Sequence, residues 1–391
     1  MSLYLNDIGV IGPIGAGKAD VLARLLAADG SGMEPYVGLL TGRSTVVGRV
    51  REHLPVTPLD LAELDCRNNR LLAHALDQIA APIADLRDEF GADRIAVVLG
   101  TSTSGISAGE DALAVYAREG RMPETYHYRQ QEIGTAAEFA ARYLKLTGLR
   151  YTISTACSSS AKAFASAWRL FATGRCDAAI VGGVDSLCKL TLNGFDALES
   201  LAPDRCNPFS ANRRGINIGE GACVFVVSKA PAAVRLCGVG ESSDAHHISA
   251  PDPSGRGAEA AIRAALAQAG AQPAAVGYVN LHGTATPKND EMESQVMARV
   301  FGLTVPCSST KSLIGHTLGA AGALELGFCW LLLGDANVRR RLPAHAWDGA
   351  RDPHLPPINL VGDDVRWERD VFVSNSFAFG GSNAAVVVGR A

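Results

Sequence analysis

The chain has 391 residues, 47% hydrophobic and 19% charged, with a formal net charge of −4. That apolar content with so little net charge excludes a disordered chain, and near-neutrality leaves no general footprint for nucleic acid or an anionic membrane. The length predicts two or three units at roughly 100–200 residues each, with no need of stabilising cross-links.

Nine cysteines stand at positions 66, 157, 176, 188, 206, 223, 237, 307 and 329, none with CxxC spacing. No zinc knuckle, thioredoxin-type pair or other metal site is expected. Their odd number and apolar settings (Cys223 in ACVFVV, Cys329 in GFCWLLL) predict reduced, buried thiols. MSLYLND lacks the basic stretch and apolar core of a secretory signal. Leu326–Gly334, the longest uncharged apolar run near the C-terminus, is too short to span a bilayer. A soluble, cytoplasmic protein is expected.

In chain order, Asp7–Ile11 reads as a strand and Lys18–Ala28 as a helix. Between them GPIGAGKA (12–19) nearly matches the phosphate-cradling loop, GxxxxGK followed by Ser or Thr. Ala19 replaces the hydroxyl that would hold magnesium. The glycines then read as a tight strand-to-helix turn. Asn68–Ala80 reads as a helix, Arg94–Leu99 as a strand, Ala136–Tyr143 as a helix and Tyr151–Thr155 as a strand. The helix Ser159–Ala172, stopped by Gly174, precedes strands Ala178–Val181 and Ala222–Val227. Helices Ala258–Ala269, Glu291–Val300 and Leu318–Leu333 end at Gly270, Gly302 and Gly334. Strands Val276–Leu281, Val371–Val373 and Ala384–Val388 complete the pattern, and 250–257 and 343–357 read as loops. Alternating Val/Ile-rich and Ala/Leu-rich runs predict an α/β fold. Runs apolar throughout fit strands buried on both faces. Residues up to about 235 close on VVSK, and the rest opens on an apolar run at Leu236 and closes on NAAVVVG. Two halves of similar architecture fit this, 1–235 and 236–391.

Four motifs carry chemistry. YTISTACSSSAKAF (151–164) places Cys157 on a strand-to-helix turn. A free thiol has a pKa near 8.5 and is only about 3% thiolate at pH 7. A helix N-terminus lowers that pKa and offers N–H groups to an oxyanion. A small buried hydrophobe is the plainer role, and suits the other eight cysteines. NLHGTATPKNDEMES (280–294) brings His282 off an apolar strand into a polar loop, with Asp290 and Glu293 at the start of the next helix. SSTKSLIGHTLGAAGALE (308–325) flanks a tight turn with Lys311 and His316. The small residues Gly319, Ala320, Gly322 and Ala323 allow close packing, and Glu325 is placed to pair with Lys311. SNSFAFGGSNAAVVV (374–388) sets Phe377 and Phe379 before a Gly-Gly turn, where the backbone can approach a ligand. One cysteine with two distant histidines is a thiol-and-imidazole constellation.

TACSSS, HGTATPKND, TKSLIGHTLGAAGALE and NSFAFGGSN, in that order, resemble the elongating β-ketoacyl-acyl carrier protein synthases of the thiolase-like superfamily. RCNPFSANRRGINIGEGA (205–222) resembles the family's segment ending in GEGA. The resemblance implies a duplicated thiolase-like fold, a five-layer αβαβα sandwich of two five-stranded sheets, and a dimer. It implies Cys157 as nucleophile, His282 and His316 as the imidazoles, and Lys311 behind them. Glu325 is then the lysine's partner, and Asp290 and Glu293 belong to the supporting network. Phe379 is the gate, its N–H an oxyanion donor together with that of Cys157. No cofactor is implied. Acyl carrier protein is the implied partner, with either a second copy of the chain or a chain-length-factor-like ketosynthase beside it. The divergent N-terminal half resembles the aryl-polyene and type II polyketide subgroup. Two positions depart from the family pattern. Ala378 replaces a glycine before the gate, where a Cβ restricts the loop's swing, and RRG puts Arg214 in an acidic position. A thiolase would need a second cysteine near the C-terminus, and none follows Cys329. A non-catalytic chain-length factor, the alternative, would lack Cys157.

Overall fold

A computed structural model describes all residues, 1–391. Ten strands carry the architecture. In the first half they are β1 (Leu3–Gly12), β2 (Ile95–Gly100), β3 (Arg150–Ile153), β4 (Ala178–Asp185) and β5 (Gly221–Ser228). In the second they are β6 (Val234–Ser243), β7 (Val276–Asn280), β8 (Cys307–Ser308), β9 (Val371–Ala378) and β10 (Ser382–Arg390). The first five lie in the order β1-β5-β4-β2-β3 and the second five in the order β6-β10-β9-β7-β8. In each set the first two junctions are antiparallel and the last two parallel. The two orders are one pattern used twice. The sheets are also joined edge to edge, because β1 pairs with β6 at Leu3–Leu236 and Tyr4–Arg235.

Period-two side-chain alternation distributes each strand between two layers. Ala222, Val224 and Val226 of β5 face the helices Arg67–Asp77, Ala80–Phe90 and Thr135–Tyr143 on one outer side. Cys223, Phe225 and Val227 face inward, onto the helices Ser159–Ala172 and Ala321–Leu333. In β10, Ala384, Val386 and Val388 face the same inner helices, while Ala385 and Val387 face Arg256–Ala269 and Pro287–Phe301. The layers are therefore αβαβα. The helix Ala321–Leu333 is apolar all round except Glu325 because it lies between two sheets. Small residues let the inner layer close up. A Cβ at Gly322 would meet Ala161 at 2.8 Å, and one at Gly319 would meet Ser102 at 2.7 Å.

The expected strands and helices are all present, with different ends. The helix expected over Asn68–Ala80 is two helices, Arg67–Asp77 and Ala80–Phe90. Pro82 has no N–H for the Gln78 carbonyl and its ring would clash there. The Gln78 amide instead pairs with Val10, accepting from its N–H and donating to its carbonyl, both at 3.0 Å. The glycine-rich turn at 12–19 holds no phosphate cradle, since Lys18 is paired with Asp7 at 2.5 Å. No helix is long and apolar enough to cross a membrane. The hairpin Met33–Tyr36 with Thr45–Gly48 and the helices Ile106–Glu119 and Lys189–Ala197 have no counterpart among the expected elements.

Candidate active site

The chain leaves β3 and turns sharply into the helix Ser159–Ala172. Ala156 takes a left-handed φ of 52°, which a non-glycine residue adopts at a cost. The serines of TACSSS staple this turn. Ser159 Oγ donates to the Ala156 carbonyl at 2.6 Å and accepts from the Thr155 N–H at 2.9 Å, and Ser158 Oγ donates to the Thr155 carbonyl at 2.9 Å. Cys157 follows, buried, just before the helix N-terminus. Its thiol differs from the expectation of a lowered pKa. Burial pushes it up to about 12, although Lys311 and the N–H groups of Phe379 and Cys157 itself pull it down. The resting sulfur is a neutral thiol because removing water from a thiolate outweighs the nearby donors.

His282 leaves β7 into a loop fastened by two carboxylates. Glu293 accepts from the N–H of His282 at 2.8 Å and of Gly283 at 2.7 Å. Asp290 accepts from Phe209 N–H at 2.7 Å and Ala285 N–H at 3.2 Å. Asp290 lies in the first turn of the helix Pro287–Phe301, where negative charge is favoured, and Glu293 one turn further on. Burial pushes Asp290 up to about 6 and Glu293 up to about 7, against these bonds. Lys311 is fully buried, pairs with Glu325, and donates to the His282 carbonyl at 2.7 Å. Burial pushes the Glu325 carboxyl up to about 7 in spite of that lysine.

His316 is gripped by the GEGA segment. Its N–H donates to the Asn217 carbonyl at 2.6 Å, and its carbonyl accepts from Gly219 N–H at 2.9 Å. Its Nδ1 accepts from Leu318 N–H at 3.3 Å. The ring proton therefore sits on Nε2, which lies 2.9 Å from Cys157 Sγ. The His282 and His316 rings are 5.3 Å apart and nearly perpendicular. Cys157, His282 and His316 donor atoms all lie within 4.8 Å of one another. The 2.9 Å contact is a hydrogen bond, closer than the roughly 3.5 Å that separates S and N on one tetrahedral zinc.

These residues open on a cavity of about 260 Å3. Phe195, Ile216, Phe377 and Phe379 form its apolar wall, and Thr284, Thr286 and Lys288 its polar side. The Phe379 ring lies 5.4 Å from that of Phe195. Gly380 and Gly381 follow with φ of 79° and 72°. Gly380 N–H donates to the Ile248 carbonyl at 2.7 Å. Ala378 is extended, at φ −113° and ψ 154°, so its Cβ is unstrained in this arrangement. Of the RRG pair, Arg213 binds Asp352 at 2.5 Å, while Arg214 is exposed.

All eight expected residues thus meet around one cavity or directly behind it. Sequence reasoning missed Phe195 of the wall, Asn217 under His316, and Asp185, whose buried carboxylate accepts from Thr103 N–H at 2.7 Å and from Ala320 N–H at 3.1 Å. The signal for Asp185 is faint, a carboxylate ending the otherwise uncharged run AAIVGGVD.

Burial, and then the Lys311 charge, hold both imidazoles well below 6.5, so both are neutral N–H donors at pH 7. The unfolded chain takes up protons below about 6.5 that these sites refuse, so each costs stability as pH falls through that value. NMR of ring-labelled histidine is expected to show both rings neutral from pH 8 down to about 5.5. A midpoint near 6.5 at either ring would contradict it.

A buried thiol and two neutral imidazoles in a doubled αβαβα fold define an acyltransferase of the thiolase-like class. The chain belongs to the β-ketoacyl synthase family: the N-terminal β-ketoacyl synthase domain matches residues 72–233 and the C-terminal domain 233–344. Nodulation protein E of Rhizobium meliloti is 37% identical over 314 residues, 76% of each chain. The 3-oxoacyl-[acyl-carrier-protein] synthase 2 of Coxiella burnetii is 29% identical over 99% of this chain and 98% of its own. Among solved structures, a chain of the ketosynthase (ApeO)–chain length factor (ApeC) complex from Xenorhabdus doucetiae is 45% identical, with TM-score 0.96 over 100% of this chain and 98% of that one. The protein is a ketosynthase.

Proposed function

We propose that Cys157 takes an acyl group from an acyl carrier protein and that His282 and His316 drive a decarboxylative condensation with malonyl on the same carrier. The observation that carries this is the His316 Nε2–Cys157 Sγ contact of 2.9 Å, with His282 facing it across the cavity. In the first step the carrier C–S bond breaks and a C–Sγ bond forms. The thiol proton leaves with the carrier sulfur. The N–H groups of Cys157 and Phe379, which both bear on Sγ, are the oxyanion donors. In the second step malonyl loses CO2, and its electron pair becomes an enolate. Its oxygen takes the N–H of both imidazoles. The carbanion attacks the acyl carbonyl, C–Sγ breaks, and the departing sulfur takes up one proton. The product is a β-ketoacyl chain longer by two carbons. Lys311 with Glu325 fixes the His282 backbone, Asp290 and Glu293 hold its loop, and Phe379 gates the cavity.

In this reading the half 1–235 supplies the nucleophile and the half 236–391 the imidazoles. A second ketosynthase-like subunit, identical or of the chain-length-factor type, completes the enzyme. The likeness to the ApeO–ApeC complex supports the latter. Its own Cys157 speaks against this chain being the chain-length factor. The pathway is fatty acid, aryl polyene or polyketide synthesis, in the cytoplasm, in keeping with nine unbridged cysteines.

The test is intact mass after incubation with a panel of acyl-carrier proteins, with and without a co-expressed chain-length-factor-like subunit. Acylation mapped to Cys157 is expected, and the panel ranks chain lengths. No acylation from any carrier in either preparation overturns the reading.

A further inference from the structure

Asp185 ends β4 and is fully buried. Five donors surround its carboxylate. Oδ1 accepts from the Thr101 hydroxyl at 2.7 Å, Ser102 N–H at 2.8 Å, Thr103 N–H at 2.7 Å and the Thr103 hydroxyl at 2.8 Å. Oδ2 accepts from Ala320 N–H at 3.1 Å. The two oxygens thus serve two different segments. Ser102 Oγ donates at 3.3 Å to the carbonyl of Ala156, the left-handed residue before Cys157. Ala320 closes the turn that begins at His316, where Leu318 N–H fixes the imidazole tautomer. Gly319 lets the two segments touch, since a Cβ there would lie 2.7 Å from Ser102 N.

We infer that Asp185 is a positioning residue for the reaction, whose single buried carboxylate ties the Cys157 turn to the His316 turn and so sets the Sγ–Nε2 contact. The inference rests on the roles proposed above for Cys157 and His316. Loop 101–103 lies directly after β2 and the His316 turn leads into the helix Ala321–Leu333. These segments come from opposite halves of the chain. Without a shared acceptor, the four donors of loop 101–103 would lack partners at the junction, and the Ala320 N–H would keep only the Thr317 carbonyl, at 3.0 Å. Asparagine cannot replace it. Its one carbonyl oxygen can keep the four donors at Oδ1, but its NH2 then faces the Ala320 N–H, donor against donor. The carboxylate also raises the Cys157 thiol, opposing Lys311.

The test compares Asp185→Asn with the native ketosynthase in single-turnover condensation, in KM for the malonyl carrier, and in alkylation of Cys157 by iodoacetamide across pH. The titratable groups facing the sulfur are Lys311, His282, His316 and Asp185. Condensation is expected to fall on the order of 100-fold, as for a displacement of about 1 Å between reacting groups. KM is expected to stay within about twofold, and the alkylation profile to move to lower pH as a negative charge is lost. A merely structural role lowers thermal stability without moving that profile. Should Asp185→Asn not accumulate folded, Thr103→Val removes one hydroxyl donor to Asp185 and, with it, the acceptor of the Ser186 N–H. It is expected to lose about tenfold in condensation, at roughly 1.4 kcal/mol per decade, with Thr103→Ser recovering it. Condensation within twofold of native and a superimposable alkylation profile in Asp185→Asn, or no loss in Thr103→Val, overturns the inference. A Cys157→Ala control that still condenses would overturn the underlying reading instead.

Discussion

Cys157→Ala is expected to abolish acyl transfer and condensation together, by a factor on the order of 10⁴ or more, while leaving the fold intact. The loss is complete in kind because no other group can form the acyl bond. Cys206, also buried, lies outside the cavity lining. Removing the nucleophile of a triad typically costs this much because the bond-forming step cannot run without it. The fold survives because the turn around residue 157 is held by serine hydroxyls and the Ala156 and Thr155 carbonyls, not by the thiol. Deleting one buried sulfur costs about 1 kcal/mol. The two imidazoles remain, with their carboxylate and lysine supports untouched. Decarboxylation of malonyl-carrier to acetyl-carrier is therefore expected to continue without condensation. Mass spectrometry of the protein and of the carrier reads both halves of the reaction. An acyl adduct on the variant would remove Cys157 from its role.

Much of this site was legible because its parts are local strings. A serine-rich turn after a β-run marks the nucleophile, and a histidine at the end of an apolar strand marks an imidazole. Even the Lys311–Glu325 pair could be guessed, since one tight turn and one helix separate the two. What stayed hidden depends on juxtaposition. Asp185 is a lone carboxylate until the chain brings loop 101–103 and Ala320 to it from opposite directions. Phe195 lies on a helix that contains Gly194 and exposes Leu190, so its pattern does not read as a buried face. The helix Ile106–Glu119 likewise turns Leu113 and Tyr116 to solvent, which blurs the usual apolar stripe. The thiol's direction was misjudged for a related reason. A helix N-terminus can be read from sequence, whereas the water stripped from Sγ depends on Phe379 and His316 packing over it from the other half of the chain. Residue patterning alone only hints at the doubled architecture, through two closing strands, and the family resemblance is what implies it outright. It becomes plain in the strand orders, because pairing partners lie far apart in sequence.

His282→Ala and His316→Ala are each expected to lower condensation by 10²–10³, about 3–4 kcal/mol, since each removes one preorganised donor from the enolate oxygen. Their effects on acyl transfer should differ. His282 does not touch the sulfur, and its backbone carbonyl still receives the Lys311 ammonium in the alanine variant. Acylation of Cys157 is expected to stay within a few-fold of native. His316 is the sulfur's hydrogen-bond partner at 2.9 Å, so its loss should slow acylation roughly tenfold as well, the size of one hydrogen bond. The backbone around residue 316 is held by Asn217 and Gly219 and does not depend on the ring. Both variants should therefore fold, which thermal unfolding checks. The double variant is expected to lose less than the product of the two factors, because both donors act on the one enolate-forming step. Enzyme acylated beforehand and mixed with malonyl-carrier isolates condensation, and mass spectrometry during loading isolates acyl transfer. Condensation above a tenth of the native rate in either single variant would sink that imidazole's role. Equal acylation rates in the two variants would show that the Sγ–Nε2 contact does nothing for the nucleophile and serves the enolate alone.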